Sequence, residues 1–109
     1  MGRFDGKVVI VTGGGNGIGR ATCLRFAEEG ASVVVAEIDE PSGQETAHVI
    51  RAAGGRALFV RTDVADEPSI ATMVAEAVGS YRRIDVLVNN AAVFVLRGID
   101  ATVEEPCDE

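Results

Sequence analysis

The stretch from Lys7 to Gly19, KVVIVTGGGNGIG, decides the fold. Val8, Val9, Ile10 and Val11 are branched apolar neighbours without polar alternation, the pattern of a strand covered on both faces in a parallel sheet. Thr12 then gives way to Gly13, Gly14 and Gly15, and beyond Asn16 and Gly17 the pattern turns helical from about Ile18. Such a strand-turn-helix junction gathers bare backbone N–H groups and the positive end of a helix dipole at one spot. That arrangement suits a phosphate.

Spacing separates the nucleotide folds. A P-loop needs Gly-Lys-Ser/Thr at the helix start, whereas Gly19 is followed by Arg20 and Ala21. The dinucleotide fingerprint GxGxxG is absent as well, because the glycines stand as Gly13-xxx-Gly17-x-Gly19.

Working outward, residues 1–6 read as a lead-in with a turn at Asp5-Gly6. Downstream, Gly19, Cys23, Phe26, Ala27 and Gly30 fall at helical spacing on one face, so Cys23 is a core residue and Gly30 closes the helix. Ser32 to Ala36, SVVVA, repeats the buried-strand pattern and runs into Glu37, Ile38, Asp39 and Glu40. An acid at the end of the second strand is where a dinucleotide fold holds the adenosine ribose hydroxyls, which makes Glu37 the candidate. Asp39 or Glu40, with Pro41, caps the next helix.

That helix spans Ser42 to Ala53, with His48 off its apolar face and no chemistry assigned to it, and Ala57 to Thr62 is the third strand. Asp66 caps a third helix with Pro68 in its first turn, and Ile70, Met73, Val74, Ala77, Val78 and Tyr81 form its core stripe. Ile84 to Val88 is the fourth strand. Val93 to Asp100 reads as a loop, and Ala101 to Glu105 as a helical first turn. The alternation predicts an α/β fold: a Rossmann-type, doubly wound parallel sheet of about four strands in the order 3-2-1-4, with three crossover helices. In that order the fourth strand is an edge, whose Val86, Leu87 and Val88 expect partners on both sides.

Composition narrows the partners. The 109 residues fit one domain, and a net charge of −7 with no basic run disfavours nucleic acid and anionic membranes. Two cysteines, Cys23 and Cys107, and a single histidine offer no metal-ligand spacing. Their usage fits a reduced cytoplasmic setting, and the first apolar run is too short for a signal peptide or a membrane span.

Four motifs in order resemble the short-chain dehydrogenase/reductase family: TGGGNGIG at 12–19, Glu37 after the second strand, Asp63-Val64 after the third, and NNAA at 89–92. The resemblance covers roughly residues 5–105 and implies the NAD-binding, amino-terminal portion of such an enzyme, residues 1–109 here. It implies cofactor contacts from Gly13, Asn16, Gly17, Ile18 and Gly19 in the turn and from Glu37 and Ile38. Asp63 would take the adenine amino group and the Val64 N–H the ring, while Asn90 and Ala91 lie along the cofactor ribose. Ala92 stands where the family has glycine, which puts one close backbone contact in question. Glu37 favours NAD, since a carboxylate repels a 2′-phosphate and neither Asn16 nor Ile38 supplies a cation.

Members of that family move a hydride between nicotinamide and an alcohol or ketone, using a Tyr-x-x-x-Lys pair and a serine. None of that set stands in these 109 residues: Tyr81 is the sole tyrosine, and Asp85 follows it where the lysine belongs. The chain therefore reads as a truncated, frameshifted or excised member that is inactive by itself, with a homo-oligomer expected for a full-length form. The other reading is a non-catalytic NAD-binding module.

Overall fold

The computed structural model describes residues 2–90, in which four strands alternate with three helices. They are β1 (Val8–Thr12), α1 (Gly17–Glu28), β2 (Ser32–Glu37), α2 (Glu40–Ala52), β3 (Arg56–Arg61), α3 (Glu67–Tyr81) and β4 (Val86–Asn89). The strands form one parallel sheet in the order β3-β2-β1-β4, as the sequence predicts. Expectations for Ala91, for the loop at Val93 to Asp100 and for the turn at Ala101 to Glu105 lie outside the described residues.

Register explains why the apolar runs lack polar alternation. Val9 and Val11 face α1 and α2 together with Val33, Val35 and Ala57, closing over Cys23, Ala47 and Ile50. Val8 and Ile10 face the other way with Val34, Ala36 and Val60, against Met73 and Ala77 of α3. Every residue of β1 and β2 is buried, because helices cover both faces of the inner strands. Burying each such branched side chain stabilises the fold by about 1.5–3 kcal/mol before entropy is counted.

Helix starts follow their caps. Asp39 accepts the Ser42 N–H at 3.3 Å and Asp66 the Ser69 N–H at 3.1 Å, each ahead of a proline in the first turn. The Asp39 cap sets the start of α2 at Glu40, two residues before the expected Ser42. At the fourth strand the chain pairs later than expected, from Val86 instead of Ile84. There the Asp85 carboxylate takes the Val8 N–H at 2.8 Å while its own N–H donates to the Val8 carbonyl at 2.9 Å, a clamp that precedes the ladder. Among the described residues β4 is an edge, with Leu87 58% exposed. The stripe on α3 also departs from expectation. Met73 and Ala77 are buried, but Val74 and Val78, one helical step around, are 38% and 43% exposed. None of the described helices is long and apolar enough to cross a membrane.

Candidate functional site

All four strands run the same way, so their carboxyl ends share one edge of the sheet, where Thr12 stands level with Ala36 and Asn89, and Glu37 and Arg61 pair one residue further along. That edge is tied together laterally. The Thr12 hydroxyl donates to Asn89 Oδ1 at 2.9 Å, and the Gly13 N–H donates to the Ala36 carbonyl at 2.7 Å. From the other side, the Asn90 amide reaches back to the Gly13 carbonyl at 3.3 Å.

The glycine turn lies between these ends and α1. Asn16 occupies the cap position of α1 without capping it: its side-chain amide donates to the Ser42 hydroxyl at 3.4 Å, and α1 has no acid in its first turn. Among the described residues no side-chain carboxylate or hydroxyl thus caps the opening N–H groups of Gly17, Ile18 and Gly19, and the positive end of the α1 dipole suits an anion. Ile18 is 77% exposed beside this opening.

Glu37 is buried at the end of β2 and faces the turn. Its Oε1 accepts the Gly15 N–H at 2.9 Å and its Oε2 accepts the Asp39 N–H at 3.1 Å. Beneath the turn, the buried Thr46 hydroxyl donates to carbonyls of Ser42 and Gly15, at 3.2 and 3.4 Å, anchoring the loop to α2. At the end of β3, Asp63 folds its carboxylate over the Ala65 N–H at 3.0 Å while its own N–H donates to the Ser69 hydroxyl at 2.9 Å. These bonds fix a short bend that turns Val64 toward the mouth.

The ends enclose a half-open cavity of about 630 Å³. Of the residues singled out in the sequence, Gly13, Asn16, Glu37, Ile38, Asp63, Val64 and Asn90 line it. Gly17, Ile18 and Gly19 form the helix start at its rim, and Ala91 falls outside the described residues. Thr62, Ala36 and Ala65 also line the cavity and were not anticipated. Thr62 and Ala36 had a readable signal, each as the last residue of an apolar strand in the sequence.

Two titratable groups, Cys23 behind the turn and Tyr81 at the far end of α3, are unsuited to chemistry. Burial pushes the Cys23 thiol up to about 12, so it is an inert part of the core. Burial likewise raises the pKa of Tyr81, the opposite of what a proton-transferring tyrosine needs. Among the described residues no group of His, Cys, Asp and Glu could hold a metal ion.

A parallel 3-2-1-4 sheet with a glycine turn after β1 and an acid closing β2 is the Rossmann-type, doubly wound arrangement, in which ligands sit outside the carboxyl ends of the strands. The model of the short chain dehydrogenase family matches residues 7–109, and the chain belongs to that family of oxidoreductases. It is 50% identical over 106 residues to an uncharacterized oxidoreductase of Thermotoga maritima, covering 97% of this chain and 40% of that protein. A 3beta-hydroxysteroid dehydrogenase of Mediterraneibacter gnavus is 40% identical over 109 residues, 100% of this chain and 38% of its own length. The structure of a short chain dehydrogenase/reductase from Burkholderia phymatum in complex with NAD superposes with a TM-score of 0.76 at 36% identity, over 80% of this chain and 31% of that one. The chain thus spans well under half the length of the relatives it matches.

Proposed function

We propose that residues 1–109 are the NAD-binding, amino-terminal portion of a short-chain oxidoreductase that, at full length, transfers a hydride between NAD and a small alcohol or ketone. The observation that carries this reading is the Glu37 carboxylate, held by two backbone N–H groups beside the glycine turn and facing the same cavity as Asp63. NAD supplies the hydride acceptor; this chain's residues bind and orient its adenosine half. The uncapped start of α1 receives the pyrophosphate, Glu37 accepts from the ribose hydroxyls, and Asp63 with the Val64 N–H holds the adenine. Asn90, fixed to the Gly13 carbonyl, borders the second ribose. Ile38, nearly half exposed, covers one face of the cavity.

NAD is favoured over NADP on electrostatic grounds. A 2′-phosphate near Glu37 meets like charge worth about 1–4 kcal/mol at roughly 4 Å, depending on how much water intervenes. That corresponds to a preference of about fivefold to a thousandfold. Calorimetric titration of the chain with each cofactor tests this, and equal affinities refute it.

The 109-residue chain should bind without turning over, since no Tyr-x-x-x-Lys pair stands in it. The same observation favours a second reading, a non-catalytic NAD-binding module. Steady oxidation of secondary alcohols by the purified chain, followed through reduced-nicotinamide absorbance, would contradict both. A full-length form is expected to act in the cytoplasm as a homo-oligomer, without nucleic acid or membrane partners.

A further inference from the structure

The cofactor reading gives Gly15 no role. Gly15 sits in the middle of the turn and contacts the cavity through no side chain, yet an added Cβ there would lie 2.9 Å from both Cγ and Oε1 of Glu37, and also inside the Ser42 hydroxyl. Real Cβ atoms do not approach so closely, and the Glu37 side chain has little freedom to withdraw, being buried with both oxygens bonded to backbone N–H groups. The space that Gly15 leaves empty is therefore the space that Glu37 occupies.

A count of lone pairs shows what this seat provides. An ionised carboxylate offers about four acceptor sites, and the Gly15 and Asp39 N–H groups take one on each oxygen. One site per oxygen remains, enough for two vicinal hydroxyls without surrendering either backbone bond. Held in this way, the acid presents a fixed pair of acceptors and needs no reorganisation when a ribose arrives. A longer residue at position 15 would push the carboxylate out of the seat, and the remaining contacts would be those a dinucleotide makes whether or not it carries a 2′-phosphate.

We propose that Gly15 is a positioning residue for cofactor choice: by lacking a side chain it seats Glu37 on its own N–H, and the two form a matched pair that selects an unphosphorylated ribose. The proposal rests on the reading of Glu37 as the ribose acceptor. Ser42 adjusts the same space, since its hydroxyl lies against the Gly15 position while bridging the Asn16 amide and the Asp39 carbonyl, at 3.4 and 3.1 Å.

The test compares three chains: Ser42→Ala, which removes the second obstacle; Ser42→Ala with Gly15→Ala; and that double variant with Glu37→Asp, whose acid is one methylene shorter. For each, calorimetry gives the ratio of dissociation constants for NADP and NAD, and circular dichroism confirms folding. The ratio should fall by a factor on the order of ten when Gly15→Ala unseats the carboxylate, mainly through weaker NAD binding, and should recover in part with Glu37→Asp. A double variant that keeps the Ser42→Ala ratio, or loses affinity for both cofactors equally, overturns the proposal. So does a triple variant with no recovery. If Gly15→Ala prevents folding, the amide proton of Gly15 in the parent chain decides: it should lie downfield of its position in Glu37→Ala, and coincidence of the two shows there is no seat. A parent chain that binds NADP as tightly as NAD defeats the cofactor reading instead, even if that resonance shows the seat intact.

Discussion

Gly19→Ala should unfold the protein at a lower temperature even though alanine is the better helix former. In α1 an added Cβ would fall inside the Gly13 carbonyl oxygen, 2.7 Å from that carbonyl carbon and 2.8 Å from the Asn90 amide nitrogen. The carbon contact is about 1 Å shorter than the optimal 3.5–4.0 Å separation, and the obstacle is backbone, so α1 itself must withdraw from the turn. Overpacking of this kind costs about 1–3 kcal/mol, against a helix-propensity gain of about 0.5–1 kcal/mol. At the midpoints of those ranges the net loss of about 1 kcal/mol lowers Tm by roughly 4–8 °C for a domain this size. Gly79→Ala is the matched control. It is also helical, but exposed with nothing within 4 Å, so the propensity gain stands alone and Tm should rise by roughly 2–8 °C. Differential scanning calorimetry measures both, and NAD titration of Gly19→Ala should show weakened binding because the α1 start and Asn90 move together. A Gly19→Ala protein melting at or above the parent would refute the close-approach argument.

Three further outcomes are expected. Arg83 donates two hydrogen bonds to Asp85, at 2.7 and 3.1 Å, and with the Val8 N–H holds its carboxyl below the usual range. A depressed folded-state pKa gives stability that is present above the unfolded value of about 4 and is lost as pH falls below it; Asp85→Asn should therefore flatten the acid limb of a Tm-versus-pH curve and leave its neutral limb sloped as in the parent. In a Cys107→Ser background, Cys23 should resist iodoacetamide at pH about 8 until denaturant is added, as expected for a buried thiol pushed up to about 12; rapid labelling of the native protein would contradict its burial. Glu37→Arg should narrow or invert the preference for NAD over NADP in competition binding, and an unchanged preference would show that the selectivity lies elsewhere.

The strands were legible because their burial is two-sided: VVIV and the VVVA that follows Ser32 leave no polar position, and only a parallel sheet between helices accepts that. Asp39 with Pro41 and Asp66 with Pro68 marked two helix starts through chemistry local to a few residues. Expectation failed where long-range contacts decide. Ile84 and Asp85 look like strand, but the Asp85 carboxylate is committed to Val8, 77 residues away, and pairing begins only after it. Val74 and Val78 continue an apolar helical period, but periodicity gives a direction without saying what lies there, and they are exposed among the described residues. Within the site, the glycine turn and Glu37 could be picked out by spacing along the chain, and Asp63 only by resemblance to the family's position. The seat of Glu37 could not, because Gly15 and Ser42 meet it only after α1 and α2 have packed on the sheet.

The bond from the Asn90 amide to the Gly13 carbonyl, with that from Thr12 to Asn89, joins the front of the described chain to its end. On a ribosome these partners are made far apart in time. At about 5–20 residues per second, the 77 residues separating Gly13 from Asn90 take roughly 4–15 s to synthesise. For that interval β1 has β2 on one side and nothing on the other, with Val9, Ile10 and Val11 awaiting Val86, Leu87 and Val88. The nascent sheet therefore carries an open, strongly apolar edge while it grows, the condition under which a translating chain depends most on being shielded from its neighbours. Once β4 has emerged, this wall of the ligand mouth is in place, whatever remains to be translated.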